Sequence, residues 1–260
     1  DQGSKLCLLV QNEDGYRNLM RLISRAWLDG QRQGTAWVKR EWIAECSDGV
    51  IALSAGREGD VGQALVSGKI DRAEQALDFW QRCFGDRYYL ELQRTSRDNE
   101  EAYIHAAVEL AARKACPVVA TNDVRFLHAD EFEAHESRVC INQSRVLNDP
   151  RRPRQYSPDQ YLRSVEEMQE LFSDIPEALQ NSVEIAKRCS FHISLGTYYL
   201  PEYPIPVGMT QDEFFRKLSH DGLDERLAFL FDEQAPDFPE KQKEYRDRLD
   251  FELDIILQMG

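Results

Sequence analysis

Three short stretches hold the side chains best suited to chemistry: Ser54 to Asp60, Glu91 to Thr95 and Thr121 to Arg125. Each follows an apolar run that reads as a strand, and each mixes carboxylates, hydroxyls, amides or glycine. In α/β folds the carboxyl ends of parallel strands are where functional groups converge. Asp123 and Glu91 are the carboxylates best placed by strand position to serve a hard metal ion, which needs several convergent oxygen or nitrogen donors. Turn-making and helix capping account for each stretch taken alone. Their shared topological position is what suggests a common site, active or decayed.

Other chemistries find less support. Gly56 and Gly59 are not followed by the Lys-Ser/Thr pair of a phosphate loop. There is no GxSxG or HExxH. His105 and His135 fall inside helical patterns and read as structural. His128, His192 and His220 show no ligand spacing. Asp250-Phe251-Glu252 has the spacing of a paired carboxylate motif but sits in a helical charge pattern.

The elements that must position the strand ends alternate in type. Strands are expected at Leu6 to Val10, Val50 to Leu53, Tyr88 to Leu92 and Pro117 to Ala120. Helical patterns intervene, with Leu19, Leu22, Ile23 and Ala26 on one face, then Val61 to Val66, Asp71 to Cys83, and Asn99 to Lys114 with Tyr103, Ala107, Leu110 and Ala111 on one stripe. This rhythm points to a parallel sheet or an α/β barrel, with too few strands to close one. Ser157-Pro158 reads as a helix start, Ser164 with Glu167 as a capping box, and Pro176 as the opening of another helix. The proline-rich extended segment Leu200 to Pro206 is the best candidate boundary. Beyond it, helices are expected from Thr210 and over Glu240 to Gln258.

Composition sets further bounds. The chain has 260 residues, 42% of them apolar and 30% charged, which suits a soluble globular protein. No apolar run approaches membrane-spanning length and no signal peptide is evident, so a cytoplasmic location without membrane contact is expected. The 6 cysteines sit on separate apolar segments and read as buried free thiols. A net charge of −14 argues against a broad nucleic-acid-binding face. Arg151, Arg152 and Arg154 form a local basic loop, either solvated or contacting a partner or duplex.

The segment Val118 to Phe126 (VVATNDVRF) resembles a characteristic stretch of the PHP (polymerase and histidinol phosphatase) domain in bacterial DNA polymerase III alpha subunits. Ile51 to Gly59, Tyr88 to Arg94, Ile175 to Cys189 with Leu200-Pro201, and Arg248 to Gly260 are similar to further segments in the same order, and the proteobacterial type is the best match. The resemblance implies a PHP-type distorted (β/α) barrel lacking its first segment over residues 1–195. A linker and the mainly helical start of the polymerase palm would follow over 196–260. The chain would then be an internal piece of the catalytic subunit that synthesises DNA in chromosome replication. The polymerase carboxylates, and the Mg²⁺ expected for the full-length enzyme, would lie outside it.

Active PHP domains hold metal ions at their strand ends. Carried across, one ligand position corresponds to Gly56, one histidine to Thr95 and another histidine to Arg125, while Asp123 matches the family aspartate and Glu91 lies on the strand before Thr95. The amino-terminal HxH-type motif does not occur in this chain. An arginine offers no lone pair and repels a metal. The resemblance therefore implies a site without cofactor or hydrolytic activity that scaffolds the palm and docks the proofreading exonuclease (epsilon) subunit, with the rest of the holoenzyme and primer-template DNA as partners of the full-length protein. An active metal-dependent phosphoesterase or proofreading nuclease is the alternative, and an error-prone paralogue a third reading.

Overall fold

Near-continuous apolar runs in the strand sequences dictate a sheet covered on both faces, and the computed structural model, described over residues 3–259, has this arrangement. The chain divides into two compact units, Asp1–Ile193 and Ser194–Gly260. In chain order the first unit contains β1 (Cys7–Val10), α1 (Glu13–Asp29), a hairpin of β2 (Gln31–Arg32) and β3 (Thr35–Ala36), α2 (Arg40–Glu45), β4 (Val50–Leu53), α3 (Asp60–Val66) and α4 (Ile70–Phe84). It continues through β5 (Tyr88–Gln93), α5 (Glu100–Lys114), β6 (Val118–Thr121), α6 (Phe132–Asn142), α7 (Val165–Leu171) and α8 (Pro176–Arg188).

The main sheet has the order β1-β4-β5-β6. β4, β5 and β6 are parallel, joined by helical crossovers. β1 runs antiparallel to β4, with Cys7 opposite Leu53 and Val10 opposite Val50. The parallel strands β4 to β6 are those the strand-helix rhythm predicts, β1 adds an antiparallel edge, and no closed barrel forms among the described residues.

The two sheet faces differ. Val50, Ala52, Tyr88, Leu90 and Leu92 point into a large core shared with helices α3, α4 and α5. Here the α5 stripe of Tyr103, Ala107, Leu110 and Ala111 is buried as its spacing predicts. Ile51, Leu53, Tyr89 and Val119 point the other way into a smaller cluster with Ile185 of α8. On that second face β5 then turns polar, offering Glu91 and Gln93, which remain buried. The period of two in a strand puts these two carboxylate and amide groups on one side.

Several local expectations need correction. Ser157-Pro158 forms a turn, because the Ser157 hydroxyl donates to the Thr95 carbonyl instead of capping a helix. On α1, Leu22 and Ala26 are buried, but Ile23 is exposed. Of the free cysteines, Cys116 and Cys140 are buried while the others are half-buried. The β2–β3 hairpin adds a pair of strands beyond those expected. Its turn residues Gln33 and Gly34 have φ of 50° and 78°, as a two-residue primed turn requires.

In the second unit α9 (Gln211–Leu230) opens with a Thr210–Glu213 capping box, as expected, and α10 (Phe238–Met259) follows. Ion pairs Arg216–Asp254, His220–Asp250 and Asp224–Arg246 step in opposite directions along the two helices, so they run antiparallel. Glu252 pairs with Arg248 on the exposed side. Asp250 and Glu252 therefore belong to a solvated helix face.

Leu90 is fully buried in a central strand, so Leu90→Ala should cost about 2–5 kcal/mol in urea denaturation through lost transfer energy and a cavity. Leu28 is 84% exposed, and Leu28→Ala should change stability by less than about 0.5 kcal/mol. Equal effects from the two would contradict this core.

Candidate functional site

The carboxyl ends of β4, β5 and β6 lie side by side because parallel strands in register must end together. Leu90 pairs with Val118 and Gln93 with Thr121. Each strand end continues through left-handed backbone: Ala55 and Gly56 (φ 58° and 56°), Ser96 and Asn99 (φ 58° and 64°), and Asp123 (φ 43°). For a residue with a Cβ this region costs on the order of 1 kcal/mol, and it survives only where the surroundings enforce it. Gly56 is buried, and a Cβ there would lie 3.1 Å from Gln93 Oε1.

One side chain that the sequence reading did not single out enforces it. Arg97 sits in the loop between β5 and α5, and its side chain is only 7% exposed. Its Nε donates to Thr95 Oγ1 at 2.8 Å and to Glu100 Oε1 at 3.1 Å. Nη1 donates to Asp123 Oδ2 at 3.0 Å and Nη2 to Gln93 Oε1 at 3.1 Å. One guanidinium thus joins the end of β5, the start of α5 and the loop after β6. Glu100 closes the other side, accepting from the Thr95 amide and hydroxyl, both at 2.6 Å. The only sequence signal was an arginine between a strand end and an acidic helix start, a common surface pattern.

Asp123 is bound from two further directions. Arg125 Nη2 lies 2.7 Å from Oδ1, and Gln160 Nε2 donates to Oδ2 at 2.8 Å and to the Asp123 carbonyl at 3.1 Å. Arg125 lies over the ring of Tyr156, 5.4 Å from its centroid. Deeper in the sheet, Glu91 accepts from Gln93 Nε2 at 3.0 Å and from the Thr121 hydroxyl. Burial pushes the Glu91 carboxyl above its ordinary range, the bonds from Thr121 and Gln93 partly offset this, and the Asp123 charge adds to it. Cys7, on β1, has its thiol pushed up by burial and by Glu91. These groups border a cleft of about 830 Å³ whose opposite wall is apolar, with Leu8, Trp37 and Val38.

The structure brings Asp123, Arg125, Thr95, Gln93 and Glu91 into one hydrogen-bonded chain, with Gly56 packed against Gln93. Arg151, Arg152 and Arg154 lie elsewhere. Arg152 is not solvated: it is buried against Glu136 of α6 in an ion pair that is also nearly dry. Arg152 lies between Pro150 and Pro153, and a count of charges does not reveal its burial. Arg151 and Arg154 are exposed.

A metal cluster does not fit these residues. Asp123 already carries two guanidiniums, from Arg97 and Arg125. Glu91 is held by Gln93 and Thr121, and its raised pKa disfavours the anion a hard cation needs. Among the described residues no group of three or more His, Cys, Asp or Glu side chains is arranged to hold a metal ion.

The family model described as the PHP domain matches residues 1–95, from ahead of β1 to the end of β5 and Thr95. Along its whole length it is also similar to DNA polymerase III subunit alpha. The protein of that name from Pseudomonas aeruginosa is 55% identical over 257 residues, which is 99% of this chain and 22% of that protein. The Escherichia coli and Vibrio cholerae proteins of the same name are each 49% identical, covering 100% of this chain and 22% of theirs. The chain thus spans about a fifth of the length of the curated relatives it matches. No helix is long and apolar enough to cross a membrane among the described residues.

Two outcomes follow from this geometry. Stability contributed by protonated Glu91 is present below the ordinary glutamate value of 4.5 and is lost as pH rises through its raised folded value. Urea midpoints measured across that range should fall with pH in the parent chain and stay flatter in Glu91→Gln; parallel curves would refute the assignment. Glu136→Gln should lower the urea midpoint because it strands Arg152, whereas Glu136→Met with Arg152→Met should recover much of the loss.

Proposed function

We propose that this chain works within a DNA polymerase III alpha subunit, the DNA-directed DNA polymerase of chromosome replication, in the cytoplasm. Identity near one half over the whole chain to several proteins of that name supports this reading. Within that subunit the PHP region serves as architecture. It supports the palm and docks the proofreading exonuclease (epsilon) subunit, which would supply the nuclease chemistry this site lacks. The observation that carries the architectural role is the pair of guanidiniums, from Arg97 and Arg125, on the one carboxylate that matches an active family site.

Polymerisation and its Mg²⁺ belong to parts of the full-length subunit outside this chain. So does most contact with primer-template DNA, since a chain of net charge −14 offers no broad basic surface. Arg151 and Arg154 remain the exposed candidates for a local contact.

The test uses the full-length subunit. Elemental analysis should find no Mn, Zn or Fe attributable to this region, and added Mn²⁺ should elicit no nuclease activity sensitive to Asp123→Ala. Two or more ions bound beside Asp123 would overturn the architectural reading. For docking, the PHP region should retain the exonuclease subunit in a binding assay, and loss of binding on deleting a different region alone would count against it.

A further inference from the structure

We infer that Arg97 is the resident cation of the PHP site: its guanidinium fills a preformed pocket selective for that planar group, in the place a bound ion would otherwise organise. This deepens the architectural reading above and rests on it. The pocket presents four acceptors from four residues: Thr95 Oγ1, Glu100 Oε1, Gln93 Oε1 and Asp123 Oδ2, all within 2.8–3.1 Å of the Arg97 nitrogens. They approach Nε, Nη1 and Nη2 separately, so the fork geometry of a guanidinium is used on three sides. An ammonium is a point donor and would satisfy only part of this set.

Charge supports the same conclusion. Glu100 and Asp123 bring two negative charges, and Arg97 and Arg125 bring two positive ones. The site is balanced without any ion. Removing Arg97 leaves two nearly buried carboxylates facing one partly exposed arginine, and Gln93 Oε1 loses its donor. Such an arrangement is costly, and the strained backbone at Ser96, Asn99 and Asp123 loses the group that spans it. Since the cation is part of the chain, the strand ends hold their form whatever the supply of free metal.

The pocket can be reached from outside. Arg97 and Glu100 border a solvent-open cavity of about 420 Å³, large enough to admit a small organic cation. Arg97→Ala in the 260-residue chain deletes atoms that correspond to ethylguanidinium, and the free compound should restore them.

Arg97→Ala is expected to lower the thermal midpoint by about 10 °C. Millimolar ethylguanidinium, far below denaturing concentrations, should restore at least half of that loss while leaving the parent chain unchanged. Ethylammonium and ethylurea should not, and Arg97→Lys should stay well below the parent. If Arg97→Ala does not fold unaided, refolding yield with each additive becomes the readout. Failure of ethylguanidinium to restore the midpoint or the yield, or equal recovery with ethylurea, would refute the inference. Recovery with Mn²⁺ or Zn²⁺ in its place would refute it too. Metal bound by the parent chain would instead strike at the architectural reading, so the two failures are separable.

Discussion

The contact between the Arg97 guanidinium and Asp123 is the constraint on which the site depends. Asp123 adopts a left-handed backbone while most of its carboxylate side chain is buried. Neither condition is tolerable alone. Two guanidiniums and the Gln160 amide make both tolerable at once, and Gln160 ties the outer loop at 157–160 to the strand end. A divalent cation could hold such a group in a related protein. Here covalently attached cations do so, with directional hydrogen bonds in place of coordination.

The sheet separates the duties of stability and chemistry. One face is closed by α3, α4 and α5 around Leu90, Leu92, Tyr88 and Trp80, and it is apolar throughout. The other face is apolar only near the strand starts and becomes polar at Glu91, Gln93 and Thr121. A fold built this way can lose metal ligands at the strand ends without losing its core, because the two sets of side chains alternate along the same strands. Retention of the architecture with altered chemistry is then physically unsurprising.

The second unit follows another logic. α9 and α10 bury little besides Leu227 and Leu253, and their pairing is marked by three cross-helix ion pairs. Exposed pairs of this kind contribute roughly 0–1 kcal/mol each. They specify the antiparallel register more than they stabilise it.

Periodicity determined much of this protein in advance. All four strands of the sheet, the α5 stripe and the Ser164 and Thr210 helix starts were legible, because local hydrogen bonding and alternation act over a few residues. The clustering of Asp123, Arg125, Thr95, Glu91 and Gly56 was legible as a shared position at strand ends. What tertiary structure decided was the role of charges. Arg97 belongs to no sequence motif and is buried, Arg152 sits in a basic loop and is paired with Glu136, and Ser157 has the spacing of a helix cap and instead ties a loop to Thr95. The physical reason is that a charge or hydroxyl takes its meaning from partners distant in sequence, up to 62 residues away for Ser157. A hydrophobic stripe carries its meaning within a single element.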